Sequence, residues 1–77
     1  MVMRGTQVRF VRSIHRPAGV VVPAGHAGVI CTVIDHDFLI VRLDTPVPGT
    51  NPPGGLVMFD GADGQSEFDG ACKVVSV

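Results

Sequence analysis

The chain contains no tryptophan and no tyrosine, and its only aromatic side chains are four phenylalanines. Proteins that hold single-stranded nucleic acid stack bases on such rings, and grooves for proline-rich peptides are lined with them. Both functions are disfavoured from the outset. Charge is also scarce, at 17% of residues against a usual value of about 25%. The sequence pI of about 6.2 is far from that of a nucleic-acid-binding domain. Two cysteines, Cys31 and Cys72, are too few for a disulfide scaffold. Each lies in an apolar strand-like run, where a free buried thiol is expected. No apolar run reaches the roughly 18 residues of a membrane span. The opening MVMRGTQVRF lacks the apolar segment of a secretory signal. These absences predict a cytoplasmic protein with no membrane partner.

Catalytic signatures are missing as well. The sequence has no G-x-S-x-G element, no P-loop and no glycine-rich dinucleotide motif. His15, His26 and His36, with Asp35 and Asp37, are the natural metal ligands to consider. A metal needs three or four such groups converging, and neighbours in a turn or strand point apart. His15 and His26 approach one another only if residues 13–26 fold back as a hairpin; all three histidines are read as exposed loop residues. Asp60, Asp63, Glu67 and Asp69 miss the calcium-loop spacing because Ala62 and Gly64 stand at ligand positions. No catalytic, cofactor-binding or metal-binding residue is assigned, and an enzyme is not expected.

What is abundant is apolar surface. Of the 77 residues, 45% are hydrophobic, and the mean hydropathy is +0.38. A chain of this length forms one domain, here residues 1–77, and buries only about 60% of its unfolded surface. The apolar surplus calls for burial against a partner, most simply a second copy.

Six prolines and ten glycines cut the chain into short pieces, none with the helical i, i+3, i+4, i+7 pattern. Period-two alternation predicts a first strand over Thr6–Val11, with Val8 and Phe10 on one face. Residues 13–26 form an excursion with turns at Pro17-Ala18-Gly19 and Pro23-Ala24-Gly25, and Val20–Val22 between them could add a short edge strand. Two more strands, Gly28–Ile34 and Phe38–Leu43, flank the turn Asp35-His36-Asp37. The first of these is assigned an inner face of Val29, Cys31 and Val33. A stiff loop, TPVPGTNPPGG, spans Thr45 to Gly55. A fourth strand is expected over Leu56–Phe59. Residues 60–70 read as an acidic turn with Phe68 as an anchor, and a last strand runs over Cys72–Val77. Five short strands predict an all-β fold, a small five-stranded, partly open barrel.

Both strands around the 35–37 turn are apolar on both faces; a strand of that kind is either central in a sheet packed on both sides or lies at an interface. The candidate interface is Ile30, Ile34, Phe38, Ile40 and Val47. Charge is segregated too. The first 34 residues hold Arg4, Arg9, Arg12 and Arg16 and no acid; the rest hold all seven acids against Arg42 and Lys73. The four arginines are a candidate anion or partner patch. If the first and last strands are neighbours, the two charge sets simply screen each other.

Gly5-Thr6-Gln7-Val8, followed by Pro23-Ala24-Gly25-His26-Ala27-Gly28-Val29-Ile30, resembles an SH3-like barrel of the KOW kind over residues 4–44. The opening MVMRGTQVRFVR is similar to that of the small stromal SH3-like subunit of photosystem I. The order Gly5, Val8-Arg9, His15, Gly25, Gly28-Val29-Ile30 is similar to the C-terminal barrel of nitrile hydratase β subunits. Residues 45–77 match neither. Both resemblances imply a docking or accessory piece without a catalytic set of its own. The plasmid-borne dihydrofolate reductase is likewise a tiny SH3-like barrel, with a pore shared by four copies. Its Val-Gln-Ile-Tyr active-site strand has no counterpart here. The function expected is protein–protein contact as a self-associating or accessory module, with itself or a larger protein as partner. The alternatives are a small-molecule binder or enzyme with its pocket at a subunit interface, and weak nucleic-acid binding through the N-terminal arginines.

Overall fold

Alternation becomes strand wherever turn residues allow neighbouring segments to pair. The structure, a computed structural model, describes residues 3–16, 19–34, 38–45, 47 and 55–75. Its elements are β1 (Gln7–Phe10), β2 (Ile14–Arg16), β3 (Val20–Val22), β4 (Ala27–Ile34), β5 (Phe38–Leu43), β6 (Leu56–Asp60), α1 (Gly61–Ala71) and β7 (Cys72–Val74). The fold is all-β apart from α1. Five strands form one antiparallel sheet in the order β6-β5-β4-β1-β7, and β2 and β3 form a separate ribbon. The first and last strands are neighbours, Val8 opposite Val74 and Phe10 opposite Cys72. Among the described residues the sheet is not closed into a barrel; β6 and β7 are its edges, and α1 carries the chain from one to the other.

The 13–26 excursion is the β2–β3 hairpin, with His15 opposite Val21. It leaves through the predicted turn, where the His26 amide donates to the Pro23 carbonyl at 3.4 Å and Gly25 has φ 96°. Glycine takes that left-handed conformation without steric cost. The hairpin contributes Ile14, Val20 and Val22 to the core, which also holds Val8, Phe10, Ile30, Leu39, Val41, Val57, Phe59 and Phe68.

Two expectations are corrected. Residues 61–71 form a helix, not an acidic turn. Only Phe68 and Ala71 are buried along it, and glycines at 61, 64 and 70 dilute the helical signal. The helix is held by tertiary contact. Phe68 meets the Phe59 ring edge-on at 5.4 Å, so its role as an anchor stands. Gly64 lets the helix lie close, since a Cβ there would come within 2.9 Å of the Phe59 carbonyl carbon.

The second correction concerns the faces of β4. Ile30 is fully buried, while Val29 and Cys31 are only half-buried. The register explains the inversion. Ile30 pairs with Val41 and Thr32 with Ile40, so Cys31 is the extra residue of a β-bulge. A bulge shifts the inward parity by one. Gly28 and Ile30 point inward before it, and Val33, opposite Leu39, after it. A strand apolar at every position cannot reveal such a shift through period two. Val47, 9% exposed, also belongs to the core. Ile30 and Val47 therefore lie in the core of one chain and not on its exposed face.

Candidate functional site

The outer face of β4, β5 and β6 follows directly from the pairing. Phe38 lies between Ile34 and Asp60, Ile40 between Thr32 and Met58, and Arg42 between Val29 and Leu56. Side chains at paired positions share a face. Ile34 is 53% exposed and Met58 56%; Phe38, Ile40, Val29 and Leu56 are half-buried. Three of the five candidate interface residues, Ile34, Phe38 and Ile40, thus lie together on one outward surface. Val29, Leu56 and Met58 complete it. The signal for Met58 and Leu56 was the alternation in Leu56–Phe59, whose outward residues are themselves apolar.

The predicted arginine patch is divided by the fold. Arg16 lies over the Phe59 ring, 5.0 Å from its centroid. Its guanidinium meets Glu67 at 2.9 Å and donates to the Met58 carbonyl at 2.9 Å and the His15 carbonyl at 3.1 Å. It ties the hairpin to β6 and α1. This ion pair joins an N-terminal arginine to a C-terminal acid through β2 and α1, whereas the neighbouring first and last strands, through which screening was expected, set Arg9 opposite Lys73. Arg12 packs over the end of α1, where a Cβ at Gly70 would come within 2.6 Å of its guanidinium. Arg9 stands exposed on the outer face of β1, opposite Lys73. Arg4 lines a shallow groove with Met3, Thr6 and Val74.

A second open groove, about 430 Å³, runs between β6 and α1 and is lined by Arg16, Met58, Asp60, Asp63, Gly64 and Glu67. Among the described residues, no three His, Cys, Asp or Glu side chains converge as a metal site requires. His15 is exposed on β2, and the His26 carbonyl accepts from the Phe10 amide. Asp35, His36, Asp37 and the proline-rich segment 48–54 lie outside the described residues. No helix among the described residues is long and apolar enough to cross a membrane.

Both cysteines are free. Burial, reinforced by the nearby Glu67 carboxylate and opposed by Arg16, pushes the Cys72 thiol up from 9.0 to about 12. Thiolate is the reactive form. At pH 8, Cys72 is therefore expected to resist iodoacetamide in the folded protein and to react fully in denaturant, as read by peptide mass spectrometry. The same shift has a stability consequence. Below about pH 9 neither state ionises this thiol. Between about 9 and about 12 the unfolded chain loses the proton and the folded one keeps it. Folding stability therefore falls as pH rises through that window.

No protein-family model, curated protein or solved structure matches this chain.

Proposed function

We propose that this protein is a non-enzymatic protein–protein contact module that self-associates through the outer face of β4, β5 and β6. The observation that supports this most directly is the exposure of Ile34 and Met58, both above one half, on the face opposite a complete core. Single exposed apolar residues are ordinary, whereas a contiguous apolar patch marks a contact site. Fully burying a Met or Ile side chain is worth about 1.5–3 kcal/mol, and association costs at least about 4 kcal/mol. Ile34 and Met58 are about half exposed and Val29, Phe38, Ile40 and Leu56 half-buried, so each gains only part of that value, and the six from both copies together offset the cost. The adjacency of the first and last strands supports an SH3-like docking domain, and the free thiols suit a reducing, cytoplasmic setting.

Sedimentation equilibrium from about 1 to 500 μM tests the reading, a span that brackets micromolar association. The native mass is expected to climb from the 8.1 kDa of one chain toward twice that. Met58→Glu is expected to hold it at one chain with an unchanged circular dichroism spectrum. A native protein that sediments as a single chain throughout would overturn the proposal.

A further inference from the structure

The apolar strip on the outer face is flanked by one charge of each sign. Asp60 sits beyond Met58 on β6, and Arg42 beyond Ile40 on β5. Both side chains are exposed. Asp60 occupies the N-cap position of α1, where a carboxylate ordinarily accepts a backbone hydrogen bond, yet it makes none. Among the described residues neither Asp60 nor Arg42 forms an ion pair; the pair observed is Arg16 with Glu67. They cannot satisfy each other within one chain. Four residues of strand at about 3.4 Å each put their rows about 14 Å apart, with Ile40 and Met58 between.

Resting on the self-association just described, we infer that the second copy docks by a two-fold axis in the plane of this face, passing between Ile40 and Met58. That axis brings Asp60 of each copy over Arg42 of the other. The two ion pairs bracket an apolar centre made of Ile40 and Met58 from both chains. The arrangement is isologous, as a closed dimer requires. It also has an acceptable sheet geometry. Strands about 4.8 Å apart and rows about 14 Å apart tilt the axis about 20° from the perpendicular to the strands, so the two sheets cross at about 40°. Aligned sheet packings cross at about 30°.

The test is charge reversal, read by sedimentation at low salt. Asp60→Arg places arginine against Arg42 twice per dimer, and Arg42→Asp places aspartate against Asp60 twice. Each is expected to weaken association about tenfold or more, the sum of two rim pairs turned from attraction to repulsion. Mixing the two variants in equal amounts is expected to restore native affinity, because both contacts in the mixed dimer are again Arg against Asp. The double variant restores it alone. Asp60→Asn and Arg42→Gln, each weaker in effect and together no worse than either, decide the matter if a reversal fails to fold. Variants that leave association unchanged while Met58→Glu abolishes it would overturn this docking and leave the self-association standing. So would losses that neither mixing nor the double variant repairs. A native protein that never associates overturns both.

Discussion

Phe59→Ala is expected to leave the protein largely unfolded at 25 °C. Phe59 is 1% exposed and joins three parts of the chain. Its ring stacks on Phe10 of β1 at 6.4 Å, receives Phe68 of α1 edge-on at 5.4 Å and carries the Arg16 guanidinium at 5.0 Å. Truncating a buried Phe costs about 3–5 kcal/mol. A single core in a chain of this size supplies roughly 3–5 kcal/mol of net stability, so the loss matches the whole. Without tryptophan or tyrosine, unfolding is best followed by far-ultraviolet circular dichroism in urea. Phe59→Leu keeps much of the volume and is expected to stay folded with a lowered midpoint. A Phe59→Ala midpoint equal to the native one would show that the ring cluster does not hold β6, α1 and the hairpin together.

Gly28→Ala is expected to destabilise the fold by about 1–3 kcal/mol, the range for overpacking a core, and to lower Tm by about 4–8 °C for each of them. Propensity alone predicts the opposite, since Ala inside a strand is favoured over Gly by about 0.5–1 kcal/mol. Geometry decides the sign. A Cβ at Gly28 would lie 2.7 Å from the Arg42 carbonyl oxygen and 2.7 Å from Val41 Cγ1, on the buried face of the central strand pair. A backbone oxygen cannot step aside without opening the β4–β5 ladder. Gly70→Ala is the control. Its Cβ meets the tip of the Arg12 guanidinium at 2.6 Å, a flexible end that swings away while the helix gains from alanine. Gly70→Ala is expected to be neutral or stabilising by scanning calorimetry, and equal losses at the two positions would refute the steric account.

The five sheet strands were legible because each is a short alternating or wholly apolar run between turn residues. The bounds of Phe38–Leu43 coincide with β5, and Val20–Val22 coincides with β3. The outward cluster was legible in part, in Ile34, Phe38 and Ile40. Ile30 was misplaced because the Cys31 bulge shifts the strand phase, and an insertion into a uniformly apolar strand leaves no trace in its pattern. The helix was missed for a related reason. Its eleven residues contain three glycines and only two buried side chains, so the packing of Phe68 on Phe59 stabilises it, not its own propensity.

The sequence by itself therefore determined the class of the fold: an excess of apolar residues in short runs, punctuated by glycine and proline, with few aromatic rings and little charge. Those are local properties, and period two with turn chemistry is enough to read them. Tertiary structure decided which of two apolar faces is core and which is open, that Arg16 belongs to Glu67 and Phe59 and not to a basic patch, and that Asp60 and Arg42 flank one strip without meeting. Each of those depends on pairing register and on contacts between distant segments, such as Arg16 with Glu67, fifty-one residues apart, which no local pattern encodes.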